Sequence, residues 1–314
     1  MKKILITGGA GFIGANLARR LVAEGGFNVY IIEKKTTNLW RIKDVLSKVT
    51  LVYVDLKNRN STIKAINIIK PNVVFHLASY GVYPVTQTDA KSMIDGNVLT
   101  TLHVVDSLKG LRSTLLINAG SCAEYQEKKS NISETDPVDP KTPYAITKLA
   151  AELLLQTMTQ EYRVPVINLR LFTPYGYFED NQRLIPHVIL RALENKTAEL
   201  SSPNYVRDFI FIEDLVDIFL QILYTNKKYY GEIFNIASGK QHSIKEVVAT
   251  VEKVLGKKIK TAYGKKVSHY QEPEFFQADI AKAKGEFSWN PRHSFEAGIT
   301  KTIDWFLKNK HLYS

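Results

Sequence analysis

The chain has 314 residues, of which 45% are hydrophobic and 23% charged, a composition typical of a globular protein with a large core. Its formal net charge is +11, but the lysines form no basic tract interleaved with aromatic residues, so we expect no nucleic-acid partner. A single cysteine excludes an intrachain disulfide and a thiolate metal cluster, and we expect no metal. The sequence has no long apolar run and no evident secretory leader, so we predict a cytoplasmic protein with no membrane partner.

A strand, a glycine-rich loop and a helix are predicted at the beginning of the chain. An apolar run at 4–7 is followed by Gly8, Gly11 and Gly14, and an amphipathic pattern over 15–23 predicts a helix. Gly8 permits a tight turn, Gly11 lets a pyrophosphate approach the backbone, and Gly14 lets the helix pack closely on the strand. Because the first amides of a helix are unpaired and attract anions, this segment predicts a nucleotide-phosphate site.

Apolar runs rich in β-forming residues alternate with helical patterns through the first half of the chain. The predicted strands span 4–7, 29–32, 50–54, 73–77, 114–118 and 166–171. The predicted helices between them include 61–69, 90–108 and 144–162. Such strands imply a parallel sheet covered on both faces, and we therefore predict an α/β fold with a doubly wound, Rossmann-like sheet whose ligands bind beyond the carboxyl ends of the strands.

The pattern becomes less regular after residue 176, where a smaller α/β lobe is predicted. Three elements are expected to return to the large sheet: a strand at 209–212, a helix at 215–223 and a strand at 233–236. The predicted dinucleotide-binding domain therefore comprises 1–176 together with 207–237, and the smaller lobe comprises 177–206 and 238–314.

Three residues carry groups suited to proton transfer. Tyr144 and Lys148 lie four residues apart and therefore on one face of a predicted helix. A phenol titrates at about 10, but a neighbouring ammonium together with an oxidised pyridinium cofactor would lower its pKa. Ser121 follows a predicted strand at the ligand edge, where its hydroxyl could hydrogen-bond a substrate carbonyl. The alternatives are an accidental pattern on a surface helix and a turn-forming serine.

The glycine loop, Ser121, Tyr144 and Lys148 occur in that order, and with them the chain resembles the extended short-chain dehydrogenase/reductase family, specifically its nucleotide-sugar epimerases, dehydratases and reductases. Further matching motifs are Val54-Asp55-Leu56, Phe75-His76-Leu77-Ala78, Asn97-Val98, Val206 to Asp214, and Ala278-Asp279 through Trp289-Asn290-Pro291. The resemblance covers essentially the whole chain. It implies an NAD(P)-dependent enzyme, a nucleotide-sugar substrate bound with the help of the smaller lobe, and a homodimer formed through the helices at 90–108 and 144–162.

The same resemblance implies roles for individual residues. The implied catalytic residues are Ser121, Tyr144 and Lys148. The implied cofactor contacts are Gly8, Gly11, Phe12, Ile13, Gly14, Glu33, Lys34, Asp55, Leu56, Leu77, Ala78, Tyr144 and Lys148. The implied substrate contacts are Tyr80, Ser121, Cys122, Thr173, Arg183 and Arg207. Asp55 and Leu56 would flank the adenine, Arg207 would contact the diphosphate, and Asn97 would brace the sheet.

The residues after Ser121 depart from one branch of the family. The 4,6-dehydratases carry an acidic residue or pair there, because elimination of water needs an acid and a base, whereas this chain has Cys122 and Ala123. Glu124 lies one step further and is expected, by strand alternation, to point elsewhere. A standard dehydratase is therefore not expected.

The segments 120–125 and 171–176 look most like those of 4-keto-6-deoxy nucleotide-sugar reductases of the abequose-synthase type. We therefore expect reduction at C4 of an NDP-4-keto-6-deoxyhexose. The alternatives are a C4 epimerase, which would use the same residues, and a non-catalytic nucleotide- or RNA-binding member of the family. Two further departures concern substrate contacts: Thr173 replaces the usual asparagine, and His269, Tyr270 and Glu272 lie where many relatives have an arginine.

The sequence leaves the choice between NAD and NADP open. Glu33 ends the second predicted strand, where a carboxylate accepts hydrogen bonds from the ribose diol and repels a 2′-phosphate. Lys34, Lys35 and Arg41 follow it and could bind that phosphate, or could be solvated surface charges.

Overall fold

The computed structural model describes residues 1–82, 87–111, 113–225, 229–266 and 273–313. The chain forms two compact units. The first unit comprises Met1–Glu124, Val138–Leu171 and Phe219–Phe234, and the second comprises Tyr125–Pro137, Phe172–Ile218 and Asn235–Ser314. The sequence analysis divided the chain into a dinucleotide-binding domain and a nucleotide-sugar-binding lobe. That assignment of binding roles stays a prediction.

The elements of the described residues are numbered in chain order. The strands are β1 (Lys2–Thr7), β2 (Phe27–Glu33), β3 (Thr50–Tyr53), β4 (Val73–His76), β5 (Leu115–Ser121), β6 (Val166–Leu171), β7 (Thr173–Tyr175), β8 (Ala198–Glu199), β9 (Val206–Phe211), β10 (Tyr230–Ile236), β11 (Gln241–Ser243) and β12 (Thr261–Ala262). The helices are α1 (Phe12–Glu24), α2 (Arg59–Ile69), α3 (Ala90–Met93), α4 (Thr100–Ser107), α5 (Pro143–Tyr162), α6 (Leu184–Leu193), α7 (Ile212–Leu223), α8 (Ile244–Leu255), α9 (Ala281–Phe287) and α10 (Phe295–Asn309).

The large sheet has seven strands in the order β10-β6-β5-β4-β1-β2-β3. Strands β1 to β6 pair in parallel with their neighbours. The chain therefore winds outward from β1 in one direction and outward from β4 in the other, which confirms the doubly wound sheet. The carboxyl ends of these strands share one edge, and the order reverses between β1 and β4, the place where such sheets bind ligands.

The central strands are buried on both faces, as their continuous apolar sequences predict. All six residues of β6 are buried. On one face, Leu5, Leu116 and Val166 belong to a core shared with side chains from α2, α4 and α5. This packing anchors α5 against the sheet, so the first turn of α5 lies at a fixed place relative to the strands.

Local signals set where α5 begins. The Thr142 hydroxyl caps the helix by accepting the Ala145 N–H at 3.1 Å, and Pro143 occupies the first helical position. The helix expected at 90–108 differs from the prediction, because a π-helical turn at Ile94–Leu99 separates α3 from α4. That turn has a structural role in the site described below.

Of the two strands predicted to return to the large sheet, one does so and the other does not. Strand β10 joins the large sheet beside β6, as expected. The expectation that the strand at 209–212 also returns is wrong: β9 pairs with β7 in parallel and with β11 antiparallel, in a separate three-stranded sheet. An apolar pattern predicts a strand but not its partner, since pairing is set by long-range contacts. Among the described residues, no helix combines the length and apolar character needed to cross a membrane.

Candidate active site

The glycine loop connects β1 to α1 in a tight main-chain turn. Gly8 has a φ of +70°, and a Cβ there would lie 2.7 Å from the amide nitrogen of Ala78, so a side chain has neither the conformation nor the room. A Cβ on Gly14 would lie 2.3 Å from the Gly8 carbonyl oxygen. The Gly11 N–H donates to that same oxygen at 3.0 Å. The loop therefore offers an unobstructed main-chain surface.

The start of α1 fits a bound phosphate. Among the described residues, no side chain caps the helix at Gly11, and its first turn, which includes Phe12, Ile13 and Gly14, has no acidic residue. The amides at this end are therefore available to an anion, and the helix dipole favours negative charge there.

Glu33 ends β2 directly beside the loop. Its Oε1 accepts the Ala10 N–H at 2.8 Å and its Oε2 accepts the Thr37 hydroxyl at 3.1 Å. Burial raises the pKa of this carboxyl, against the opposing effect of the Ala10 hydrogen bond. Lys34 and Lys35 are exposed, and the Arg41 guanidinium lies 4.5 Å from the centre of the neighbouring Trp40 ring.

The carboxyl ends of β1 and β4 are joined by a buried histidine. His76 Nδ1 is 2.7 Å from the Thr7 hydroxyl, and Nε2 is 3.0 Å from the Thr101 hydroxyl. Burial and, secondarily, the charge of Lys148 lower the pKa of His76 to about 3, so the ring is neutral near pH 7. Of the implied cofactor contacts here, Leu77 donates its N–H to Thr7 O at 3.1 Å and Ala78 stands against Gly8.

The two residues that the resemblance places beside the adenine, Asp55 and Leu56, follow β3. Asp55 accepts the Lys57 N–H at 3.0 Å through Oδ1 and so forms a turn, and Leu56 is buried with an exposed fraction of 7%. The Leu56 carbonyl is 2.8 Å from Nδ1 of His103. These contacts hold the turn that lies beyond the third strand at the ligand edge.

Ser121 and Tyr144 come together, as the sequence predicted. Ser121 is the last residue of β5, and Tyr144 is the second residue of α5; the hydroxyls of Ser121 and Ser79 lie near enough to the Tyr144 hydroxyl to lower its pKa. Lys148 follows one turn later on α5 and is buried, with an exposed fraction of 5%. Its charge acts on His76, the last residue of β4.

The pKa of Tyr144 differs from the sequence-based expectation. Burial and, secondarily, the charge of Glu124 raise it to about 12, against the opposing effect of the Ser121 hydroxyl. Burial also lowers the pKa of Lys148. The protein alone therefore does not lower the pKa of Tyr144, as was expected of Lys148 together with an oxidised cofactor. Without the cofactor, Tyr144 is a phenol near neutral pH.

Ser79 was not among the candidate residues, and Asn97 explains its placement. Asn97 lies in the π-helical turn; its Oδ1 accepts the Ser79 hydroxyl at 3.1 Å and the Tyr80 N–H at 2.8 Å. Its Nδ2 donates to Tyr80 O at 2.8 Å and to the Thr147 hydroxyl at 2.9 Å. Asn97 therefore ties the segment after β4 to α5, rather than bracing the sheet alone. The position of Ser79 directly after Ala78, at a strand end, is the signal that could have indicated it.

Residues 4–237 match the NAD dependent epimerase/dehydratase family. The chain belongs to this family. UDP-glucuronate 4-epimerase of Thermodesulfobacterium geofontis is 28% identical to it, over 98% of this chain and 97% of that protein. The structure of dTDP-glucose 4,6-dehydratase from Bacillus anthracis in complex with NAD has a TM-score of 0.89 and 25% identity, and covers 99% of this chain and 98% of that chain. UDP-glucuronic acid 4-epimerase from Bacillus cereus, in complex with UDP-glucuronic acid and NAD, has a TM-score of 0.88 and 27% identity, over 98% and 99% respectively.

These similarities confirm the predicted family and fold: the protein is an extended short-chain dehydrogenase/reductase of the epimerase/dehydratase family. One expectation about this family member is wrong. Strand alternation does not set the direction of the Glu124 side chain, because a single 3-10 turn at Cys122–Glu124 follows the strand and the side chain folds back onto the Ser121 main chain. Its Oε1 accepts the N–H of Ser121 at 2.7 Å, and its exposed fraction is 0%.

The other implied substrate contacts are divided between the two units. In the first unit, Tyr80 is held by Asn97, and Cys122 is half-buried beside Ser121. In the second unit, Thr173 begins β7 opposite Phe209, Arg207 donates to Val206 O at 2.7 Å, and Arg183 lies 3.8 Å from the Glu179 carboxylate. His269, Tyr270 and Glu272 lie outside the described residues.

Proposed function

We propose that this member of the epimerase/dehydratase family is an NAD-dependent oxidoreductase that acts at C4 of a nucleotide-activated sugar, reducing an NDP-4-keto-6-deoxyhexose. The observation that carries the proposal is that Ser121, at the end of β5, and Tyr144, in the first turn of α5, come together at the ligand edge of the sheet. Because the pKa of Tyr144 is raised to about 12, this pair offers a protonated phenol beside a second hydroxyl. Such a pair can stabilise and protonate an oxygen that becomes negatively charged during reduction.

Each residue then has a role in the reaction. When bound, the nicotinamide cofactor supplies the hydride to C4. Ser121 donates a hydrogen bond to the C4 carbonyl oxygen, and Tyr144 transfers its proton to that oxygen as the alkoxide develops. Lys148, buried one turn below Tyr144, holds positive charge near the phenolate that remains and would contact the cofactor ribose. Cys122, Tyr80, Thr173, Arg183 and Arg207 are proposed substrate contacts.

We propose NAD rather than NADP as the cofactor. Glu33 is fixed at the end of β2 by Ala10 and Thr37, so a carboxylate stands where the ribose diol of a dinucleotide would lie. Lys34 and Lys35 are exposed, and Arg41 lies over Trp40, whereas both carboxylate oxygens of Glu33 are held by hydrogen bonds. The two solved relatives described above contain NAD.

A C4 epimerase is the second candidate, favoured by the similarity to UDP-glucuronate 4-epimerase. In that reaction Tyr144 first removes a proton from the C4 hydroxyl and later returns one, with the same Ser121 and Lys148. A 4,6-dehydratase fits less well, because Cys122 and Ala123 supply no carboxyl group. Glu124 does not replace them, since it is buried and accepts the Ser121 N–H.

The test is a screen of UDP-, dTDP-, CDP- and GDP-linked sugars, including 4-keto-6-deoxy sugars, with NADH and NADPH. Stoichiometric oxidation of NADH by a 4-keto-6-deoxy sugar is the expected result. Interconversion of C4 epimers without net cofactor change would replace the reductase by the epimerase. Absence of both activities, with every nucleotide and cofactor, would overturn the proposal.

We also propose a homodimer that uses α5 and the helical region at 90–107. These elements pack together and expose apolar side chains, among them Ile94, Leu99, Ile146 and Leu153. Ile146 and Leu153 are seven residues apart and therefore share one face of α5. Light scattering in solution measures the mass that decides this point. A cytoplasmic location stays a prediction of the sequence.

A further inference from the structure

A group of charged side chains lies buried behind Ser121 and Tyr144, and the proposed reaction does not use it. Glu124 and Glu152 each have an exposed fraction of 0%, and Arg170 has one of 3%. Arg170 donates to Glu152 through Nε at 3.1 Å and through Nη2 at 2.5 Å. Because burying a charge is costly unless it is paired, this group needs an explanation.

Glu124 joins this group to the site. Its Oε1 accepts the Ser121 N–H at 2.7 Å, and its Oε2 lies 3.3 Å from Nε of Arg170. The same Oε1 would be 3.3 Å from a Cβ on Gly120, so the carboxylate also packs on the main chain that precedes Ser121. The end of β5, where Ser121 lies, is thus held by the Glu124 side chain.

Charge links Glu124 to the other two residues of the site. After burial, the Glu124 carboxylate makes the largest contribution to the raised pKa of Tyr144. For Lys148, burial lowers the pKa, and the Glu124 carboxylate is the first of the charges that oppose it. A negative charge at this position therefore disfavours the phenolate and favours the ammonium.

In the part of the chain that the structure describes, the groups that contact Glu124 or interact with its charge come from three elements. From β5 comes the Ser121 N–H, from α5 come Tyr144, Lys148 and Glu152, and from β6 comes Arg170. Burial and the Glu152 charge raise the pKa of Glu124 to about 8, against the opposing charges of Arg170 and Lys148. Glu124 is therefore a carboxylate above that pH and a neutral acid below it.

We propose that Glu124 is a positioning residue of this active site, which holds the Ser121 main chain and, as a carboxylate, keeps Tyr144 in its phenol form. The proposal rests on the proposed function, in which Tyr144 transfers a proton. Glu124 itself touches neither the substrate nor the reacting atoms. The charge of Glu124 therefore changes how easily Tyr144 loses its proton. At a pH above the pKa of Glu124 the site favours the phenol, the proton donor needed for reduction, and at a lower pH the phenolate forms more easily.

The deciding variant is Glu124→Gln, which keeps an oxygen for the Ser121 N–H and removes the charge. The matched control is Glu152→Gln. It also removes a buried carboxylate that pairs with Arg170, but the charge of Glu152 is not among the causes that shift the pKa of Tyr144. The first measurement is carbon-13 NMR of ligand-free protein labelled at tyrosine Cζ, with the Tyr144 signal assigned by its loss in Tyr144→Phe.

Between about pH 8 and about pH 10.5 we expect the wild-type Tyr144 signal to stay at the phenol position. In Glu124→Gln it should move toward phenolate, while Glu152→Gln should follow the wild type. In the alcohol-oxidising direction, the rise of kcat with pH should occur at least about half a pH unit lower in Glu124→Gln than in the wild type. This corresponds to a kcat about threefold higher at a fixed pH, with KM unchanged. Below about pH 8, where Glu124 is neutral, the wild-type and Glu124→Gln kinetic profiles should coincide.

Identical Tyr144 titrations in wild type and Glu124→Gln would overturn the proposal, and so would an equal shift in Glu152→Gln. If Glu124→Gln does not fold, the wild-type protein provides the test. Its Tyr144 signal, while remaining in the phenol range, must show a small step as Glu124 ionises near pH 8; the absence of that step counts against the proposal. The NMR titration needs no substrate, so a failed substrate screen and a failed role for Glu124 are separate results.

Discussion

The glycine loop and the proton-transfer site lie at the same edge of one sheet, but different interactions hold them. The loop is made of main-chain contacts: the Gly8 carbonyl accepts the Gly11 N–H at 3.0 Å and leaves no space for a side chain on Gly14. The proton-transfer site depends on side chains from β5, α5 and the segment after β4, with buried charges beneath it. A single charge can therefore tune the second region, whereas the first changes only when the backbone moves.

The largest expected effect separates the two regions by function. Tyr144→Phe removes the proton donor but leaves the glycine loop intact, so turnover should fall by roughly 10²–10⁴-fold while the dissociation constant of NAD changes little. Steady-state kinetics and calorimetric NAD titration measure the two quantities. Tyr53→Phe, at an exposed position on β3, is the matched control and should behave as the wild type. Equal turnover in Tyr144→Phe and wild type would remove Tyr144 from the mechanism.

The next effect should appear in the loop and affect binding and stability together. In Gly14→Ala the new Cβ meets the Gly8 carbonyl at 2.3 Å and Gly9 Cα at 2.7 Å, so the backbone must move. We expect a loss of about 1–3 kcal/mol in the free energy of unfolding and weaker NAD binding. Urea unfolding and NAD titration measure these changes.

The control for the loop variant is Gly285→Ala in α9, where an added Cβ meets no atom within 4 Å. This change should leave stability equal or up to about 1 kcal/mol higher, because alanine favours a helix more than glycine does. If Gly14→Ala is as stable as the wild type and binds NAD equally well, the loop is not the rigid main-chain cradle described above.

The smallest expected effect compares how the two regions respond to pH. Burial raises the pKa of Glu124 from 4.5 to about 8, so the stability it contributes is complete below pH 4.5 and is lost as pH rises through 8. Burial raises the pKa of Glu33 in the same direction, opposed by the Ala10 and Thr37 hydrogen bonds. Above about pH 6.5, where His76 is neutral in the folded and in the unfolded protein, urea unfolding should therefore give a free energy of unfolding that falls toward pH 8.

Glu124→Gln should remove on the order of 1–3 kcal/mol of that fall, and Glu33→Gln less. Glu179 in the second unit, whose pKa burial also raises to about 8, should leave a remaining slope in both variants. A slope unchanged in Glu124→Gln would mean that Glu124 has the same pKa in the folded and unfolded protein.

The sequence by itself determined the features that depend on local pattern. The apolar runs predicted the strands of the parallel sheet, and the glycine spacing predicted a loop that main-chain geometry alone explains. Helical periodicity placed Tyr144 and Lys148 on one face of α5, and strand ends placed Ser121 at the ligand edge. Each of these follows from contacts between residues that are close in the chain.

Only the tertiary structure decided the features that depend on distant residues. Ser79 reaches Tyr144 because Asn97, in a π-helical turn, ties two segments together. Glu124 turns toward Ser121 because a 3-10 turn ends the strand and a buried arginine pairs with its carboxylate. Strand β9 joins a second sheet through pairing with β7. Burial and long-range charge set the pKa of Tyr144, and neither quantity can be obtained from the order of residues along the chain.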